Sequence, residues 1–491
     1  MERSAIESRR GKVKAAHRYE VIDESSNSMQ LVGKTVHFIG IGGIGMSGLA
    51  QVLMRNRAVV SGSDQTAGPS VTRLQQLGCS IRIGHRPEHI PQDADAVVIT
   101  AAVKPDNPEL VQARQQGCEV YKYAQMLGQL MNRYQGIAVS GTHGKSTTSG
   151  WLSYLLRRSG IDASFIVGAV VSQLGSSSGV GDSPYFVAEA CEYDRSFLNL
   201  RPTMAAVLNI EADHLDYYKD EAEIVEAFSQ FVAGVAFEGT VVANGQDRNV
   251  SEVIKALRPD VECLTFGLDE LCSYYAKDLE LVDGLYRFDV YGKGRFLGRA
   301  RISLPGRHNV MNALAVVAMA QRIGVSTKAV LEGLPEFTGV DRRLTLRGRA
   351  GQVTVLDDYA HHPTEIRASL SGIRELYKPR RLWCVFQPHQ YSRTRFLLED
   401  FAESFKLADV TIVPEIYFVR DSQENRQAVN AQVMVDRLRG CGSQAEFIDG
   451  FDAICDYLQA HVEAGDVVVT MGAGDVWKVA DAYIQRIGPD R

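Results

Sequence analysis

Ser140-Gly141-Thr142-His143-Gly144-Lys145-Ser146-Thr147-Thr148 is where this chain concentrates the residue types that phosphate chemistry needs. In such a loop the backbone N–H groups cradle phosphates, the lysine reaches β/γ oxygens, and a hydroxyl such as that of Ser146 can ligate Mg²⁺. The loop is shorter than the common G-x-x-x-x-G-K-[ST] form, which changes its length but not its mechanism, and ATP binding is expected. Carboxylates that could stand beside a metal follow downstream. Glu189 lies in YFVAEACEYDRSF, with Glu192 and Asp194 close behind, and a second cluster runs Asn209-Ile210-Glu211-Ala212-Asp213-His214-Leu215-Asp216. A hard cation prefers carboxylate oxygen and tolerates one imidazole. Taken singly, an acidic group is more often a solvated loop residue, and it is two clusters, each closing an apolar strand on the carboxyl edge of the sheet, that point to a site.

Upstream, Gly40-Ile41-Gly42-Gly43-Ile44-Gly45 fits G-x-G-x-x-G. Its glycines allow a tight turn, close approach of backbone to a diphosphate, and close helix–strand packing. Asp64 ends the next strand, where an acidic side chain could reach a ribose hydroxyl. NAD, FAD and a UDP-sugar all offer a diphosphate, and a turn used for packing alone stays open. Downstream, Asp357-Asp358-Tyr359-Ala360-His361-His362-Pro363, then Phe386-Gln387-Pro388-His389-Gln390-Tyr391-Ser392-Arg393, then Met471-Gly472-Ala473-Gly474-Asp475 each follow a strand. Of eleven histidines, His143, His214, His308, His361, His362 and His389 stand in such contexts. Neither HExxH nor paired CxxC occurs, so catalytic zinc is not expected. Arg342 and Arg343 could swing onto a γ-phosphate when domains close.

These motifs need strand ends and helix starts to hold them. Short β-branched runs at 35–39, 58–61, 96–100 and 137–140 alternate with helical spacing at 46–56 and 108–116. A second block continues through Gly168, Val187, 206–210 and 240–244, with a helix expected at 150–158 after the phosphate loop. Closely spaced strands with Gly turns at 274–305 predict an antiparallel insert, followed by a helix over 310–322. A third block places strands at 353–357, 382–386, 410–414 and 467–471. The fold class is α/β in three domains, 31–133, 134–338 and 339–491, after a disordered tail over 1–30. A length of 491 residues suits that division, and 45% apolar with 23% charged content is that of a globular protein. The net charge of −6 gives no reason to seek nucleic acid or a membrane surface. No apolar run could span a bilayer, and eight scattered cysteines suit a reducing cytoplasm.

Read together, HFIGIGGIGMSGLA, SGTHGKSTT, AEACEYDRSF, NIEADHLDYY, GRHNVMNALA, DDYAHHPTEI, FQPHQYSR and MGAGDVWK resemble the Mur ligases of peptidoglycan synthesis, in order from about Val32 onward. The resemblance is greatest to the alanine-adding branch. It implies a Rossmann-like UDP-sugar domain, a central ATP domain and a Rossmann-like amino-acid domain. It further implies that L-alanine is joined to the lactyl carboxylate of UDP-N-acetylmuramate through an acyl phosphate, releasing ADP and phosphate. That is a cytoplasmic step serving cell-wall biogenesis, cell shape and cell division.

Carried over residue by residue, the resemblance makes Gly40, Gly42, Gly43 and Gly45, with Asp64, the UDP-sugar site. Gly141, Thr142, His143, Gly144, Lys145, Ser146, Thr147, His308, Asn309, Arg342 and Asp358 become the ATP site. Ser146, Glu189 and His214 become Mg²⁺ ligands, and Tyr359, His361, His389 and Arg393 receive the amino acid. Lys145, Glu189, His214, Arg342, His361 and Arg393 are the expected catalytic group. A monomer or weak homodimer is expected. Two departures matter. Ser229 stands where sister ligases carry a modified lysine, so no carbamylated lysine is expected, and Pro414-Glu415-Ile416-Tyr417-Phe418-Val419-Arg420-Asp421 lacks the expected A-G-E and is given no role. The alternatives are a ligase that recycles a whole tripeptide, a nicotinamide oxidoreductase carrying an ATP-binding domain, and a non-catalytic nucleotide switch.

Overall fold

The computed structural model describes residues 32–419, 421 and 423–488. The tail expected over 1–30 lies outside the described residues. Three sheets follow one another along the chain. In the first, β1 (Thr35–Ile39), β2 (Val59–Asp64), β3 (Ser80–Ile83), β4 (Ala96–Ile99) and β5 (Glu119–Lys122) lie in the order β3-β2-β1-β4-β5, all parallel. Strand order reverses between β1 and β4, and the Gly40 loop leaves β1 there, the crevice in which open α/β sheets bind ligands. β1 is buried along its whole length, which is why its sequence TVHFI shows little alternation.

The second sheet contains β6 (Gln135–Ser140), β7 (Ser164–Val171), β8 (Ser176–Gly179), β9 (Tyr185–Glu189), β10 (Met204–Val207), β11 (Thr240–Asn244) and β12 (Glu262–Gly267). The antiparallel strands β13 (Tyr274–Val282), β14 (Leu285–Gly292) and β15 (Arg295–Arg301) extend it, giving β15-β14-β13-β12-β11-β10-β6-β9-β7-β8. β6, which carries the phosphate loop, therefore sits between β10 and β9, and both candidate acidic clusters emerge beside that loop. The expected insert is thus an edge of the main sheet, because β13 pairs in parallel with β12.

Of the boundaries that shift from expectation, two bear on the phosphate loop. The helix after the phosphate loop spans Lys145–Arg158 and so begins at the lysine. Its first turn is polar (KSTTS) because it faces the ligand side, so apolar periodicity could not reveal it. The strand expected over 206–210 ends at Val207, which leaves Asn209 and the acidic residues in a loop. Inside the middle core Trp151 stacks on Phe337, ring centroids 5.1 Å apart at 18°. Phe337 and Val340 pack against Gly150 and so pin the connector to the third domain onto the phosphate-loop helix.

The third sheet, β16 (Thr345–Ala350), β17 (Val353–Asp358), β18 (Leu382–Phe386), β19 (Val410–Val413), β20 (Ala445–Phe447) and β21 (Val467–Met471), has the order β16-β17-β21-β18-β19-β20. Alternate residues enter cores on its two faces: Leu356, Phe386 and Val469 on one, Val355, Val385 and Val468 on the other. The adjacent strands β17, β21 and β18 deliver Asp358, Gly472 and His389 to one carboxyl edge.

Candidate active site

Gly144 has φ +85, and a Cβ there would lie 2.8 Å from Asn312 Oδ1, so the phosphate loop needs glycine to turn into its helix. Asn209 splints the loop: its Oδ1 accepts from His143 N at 2.8 Å and its Nδ2 donates to His143 O at 3.1 Å. Lys145 Nζ donates to Gly141 O (2.5 Å) and Thr142 O (3.0 Å) and pairs with Glu192 (2.9 Å). Burial opposes the lysine's charge, but Glu192 outweighs it and raises the pKa. Burial likewise opposes charge on Glu192, and Lys145 with His214 holds it down. His214 Nε2 lies 3.5 Å from Glu192 Oε1, on a backbone at φ 55. Glu192 is thus the carboxylate joining Lys145 to His214, a link that sequence could not separate from Glu189 and Asp194.

Glu189 faces Ser146 and accepts from Gly168 N. Gly168 permits this approach, since a Cβ there would lie 2.9 Å from Glu189 Oε2. Burial raises the Glu189 pKa. A carboxylate with a hydroxyl beside it is a donor pair that a hard cation accepts, while the His214 imidazole stands on Glu192.

Next to the loop a cavity of about 180 Å³ is lined by His143, Asn209, His308, Asn309, Arg343, Asp358 and Glu365, among others. Asn309 Nδ2 donates to Pro305 O (2.7 Å), and its Oδ1 accepts from Asn312 (3.0 Å). Burial, then the charge of Arg343, pushes His308 down to about 4. Burial raises Asp358 to about 6. Of the two arginines, the structure brings Arg343 to the cavity. Arg342, at φ 59, donates to Asp357 (3.1 Å) and to Gly472 O (2.8 Å) within the third domain. Both guanidinium groups lie over the Tyr359 ring.

Glu365, which the sequence leaves without a role, stands in the first turn of the helix Pro363–Tyr377, just after the His361-His362 pair. Its Oε1 lies 3.2 Å from His143 Nδ1 and 3.3 Å from Arg343 Nη1, linking the third domain to the phosphate loop. Burial opposes charge on His143, but Glu211 and Glu365 outweigh it and raise the pKa to about 9.

Beyond this link lie the residues expected to receive an amino acid. His361 Nδ1 is 2.9 Å from Tyr359 O, and burial lowers its pKa to about 4. His389 is 6.1 Å from His361 between ring centroids and stacks on Tyr417 at 5.7 Å. Arg393 donates to Asp213 Oδ1 through Nε (3.1 Å) and Nη2 (2.9 Å), while Nη1 reaches His389 Nδ1 (3.3 Å). Burial opposes charge on Asp213, and Arg393 holds it well below the usual carboxylate range. The segment left without a role supports this loop. Tyr417 exchanges backbone hydrogen bonds with Pro388 and Gln390, and Asp421 Oδ2 accepts from Ser392 N at 3.0 Å.

In the first domain Asp64 Oδ2 accepts from Gly42 N at 2.8 Å and holds the glycine loop. Gly40 N and Ile41 N donate to Ser63 O, and Ser63 Oγ donates to the buried Glu109. Glu109 also meets His89 (2.8 Å) and His85 (3.4 Å). Burial opposes its charge, but hydrogen bonds from His37, Ser63 and His89 lower it to about 2.

The chain belongs to the Mur ligase family. The family's models match in three parts: "Mur ligase family, catalytic domain" over residues 35–135, "Mur ligase middle domain" over 139–320 and "Mur ligase, glutamate ligase domain" over 342–474. The chain is 42% identical over 457 residues to the UDP-N-acetylmuramate–L-alanine ligase of Acetivibrio thermocellus, covering 92% of this chain and 96% of that one. It is also 42% identical to the ligase of the same name from Alkaliphilus metalliredigens, covering 92% and 97%. Among solved structures, UDP-N-acetylmuramate-alanine ligase MurC from Thermotoga maritima superposes with TM-score 0.77 at 28% identity, covering 92% of this chain and 98% of that one. The murein peptide ligase of Psychrobacter arcticus does so with TM-score 0.70 at 26% identity, covering 94% and 100%.

Proposed function

We infer that this chain is an ATP-dependent ligase that joins L-alanine to the lactyl carboxylate of UDP-N-acetylmuramate in peptidoglycan synthesis. The reading rests on 42% identity across 92% of the chain to ligases of that name. The domain limits we propose are 31–133 for the UDP-sugar, 134–338 for ATP and 339–491 for the amino acid.

ATP would lie with its adenosine in the cavity beside Asn309, His308 and Asp358 and its phosphates on the loop from Gly141 to Thr147. Lys145 would leave Glu192 for the β/γ oxygens. Ser146, Glu189 and His214 would hold Mg²⁺, which when bound neutralises phosphate charge. The lactyl carboxylate attacks the γ-phosphoryl, ADP departs, and an acyl phosphate remains. L-alanine's neutral amine attacks the acyl carbon and phosphate leaves. His361 is suited to take the amine proton. Its low pKa keeps it neutral, and with Nδ1–H donating to Tyr359 O its Nε2 lone pair is free. Arg393 Nη1 and His389 would receive the alanine carboxylate, and Arg343 joins Arg342 as a candidate γ-phosphate contact. Docking of the third domain would exclude the water that hydrolyses acyl phosphates. Among the described residues no helix is long and apolar enough to cross a membrane. We place the reaction in the cytoplasm, with the chain a monomer or weak homodimer.

The test is ADP release with UDP-N-acetylmuramate and, in turn, L-alanine, glycine, L-serine and the recycling tripeptide. L-alanine should give the highest kcat/KM. Release that ignores L-alanine and answers to the tripeptide would establish the recycling reaction instead.

A further inference from the structure

We propose that His143, Glu211 and His362 form a binding site for a borderline divalent cation of the Zn²⁺ class, separate from the Mg²⁺ residues and bridging the middle and third domains. One ligand atom from each of the three residues lies within 4.8 Å of the others. Glu211 Oε2 is 3.4 Å from His143 Nε2 and 3.8 Å from His362 Nδ1. Ligands about 2.0–2.1 Å from a tetrahedral ion stand roughly 3.4 Å apart, so only a small adjustment would enclose one ion.

The far nitrogens of both rings are already arranged as in a metal site. His143 Nδ1 faces the carboxylate of Glu365 at 3.2 Å, and His362 Nε2 donates to Ala212 O at 3.2 Å. Such outer contacts fix the tautomer and aim the opposite lone pair at the ion. Thr364 also donates to Glu211 Oε2 at 2.6 Å, orienting that carboxylate while leaving it lone pairs. An incoming ion would displace two weak contacts, the 3.3 Å bond from Thr364 N to His362 Nδ1 and the 3.4 Å bond between His143 Nε2 and Glu211, and with the second the proton that the two glutamates favour on His143. Two imidazoles and one carboxylate select a borderline ion over Mg²⁺, and three protein ligands leave a fourth position open. Glu211 is 37% exposed at its side chain, which gives an ion a way in. His143 belongs to the phosphate loop and His362 begins the helix Pro363–Tyr377, so a bound ion would tie that loop to the third domain.

The test uses the full-length protein with Mg²⁺ in excess, titrated with Zn²⁺ against a chromophoric chelator, with ions per chain counted by atomic absorption and Co²⁺ as optical probe. One ion per chain is expected, with the intense visible bands of four-coordinate Co²⁺. Glu211→Gln and His362→Asn, which keeps a helix-capping side chain, should each weaken binding by about 100-fold or more, and Glu365→Gln by about 10–100-fold. His362→Cys should restore binding and add a sulfur-to-cobalt charge-transfer band, a signature that a folding defect could not produce. Glu189→Gln should leave Zn²⁺ binding intact. Absence of stoichiometric binding, or binding lost in Glu189→Gln and kept in His362→Asn, overturns the proposal.

Discussion

Lys145 carries the sharpest expectation at the scale of single residues. Its ammonium is held by Glu192 and two loop carbonyls at the mouth of the phosphate loop, close to where a transferred phosphoryl group would gather charge. Lys145→Ala should lower kcat by about 10²–10³-fold or more while the affinity for UDP-N-acetylmuramate, measured by calorimetry, stays near wild type. Turnover close to wild type would remove the lysine from phosphate chemistry. Glu189→Ala should act through the metal, so raising Mg²⁺ should restore part of the rate. Weakened UDP-sugar binding in that variant would instead put Glu189 at the other substrate. This scale is also where sequence was least legible. Glu189 and Glu192 stand three positions apart, and so do their roles, yet only the folded chain reveals which one meets Lys145. Arg342 and Arg343 are adjacent, and the left-handed backbone at Arg342 sends one guanidinium to Asp357 and leaves the other at the cavity.

Elements were far more legible, because glycines, a lysine and strand-end acids mark where strands stop and helices start. The polar first turn of Lys145–Arg158 escaped for the converse reason, as it serves a ligand instead of a core. Close approach between elements gives two expectations. Gly168→Ala would push a methyl group against Glu189, so the Mg²⁺ concentration for half-maximal ADP release should rise about tenfold. An unchanged Mg²⁺ titration would show that β7 does not position the carboxylate. In the first sheet, Glu109 supports Ser63, whose carbonyl holds the glycine loop. Its folded pKa of about 2 lies below the unfolded value of 4.5, so it adds stability above pH 4.5 that is lost as pH falls toward 2. Glu109→Gln should therefore destabilise this sheet by about 2–3 kcal/mol near neutrality. The gap from wild type should narrow below pH 4.5, read as hydrogen-exchange protection of β1 and β4. A gap independent of pH would assign the loss to packing.

Across the whole molecule, the second and third domains meet through buried charge: His143 with Glu365, and Asp213 with Arg393. Removing one partner of a buried pair leaves the other unpaired, at about 3–5 kcal/mol. Asp213→Asn should therefore shift the third domain toward an undocked arrangement, seen as a larger radius of gyration in X-ray scattering and a raised KM for L-alanine. An unchanged radius with unchanged KM would mean that docking rests on other contacts. The Trp151–Phe337 stack, with both rings in the middle domain, gives the seat of the connector an optical readout. Of the three tryptophans, Trp383 and Trp477 lie wholly within the third domain, so its rigid movement leaves their intradomain surroundings unchanged. Trp151 instead rides the phosphate-loop helix against the start of the connector. With the other two replaced by phenylalanine, its emission becomes a label-free fluorescence clock for whether Phe337 stays seated on that helix, timed in stopped flow from the instant nucleotide is mixed in.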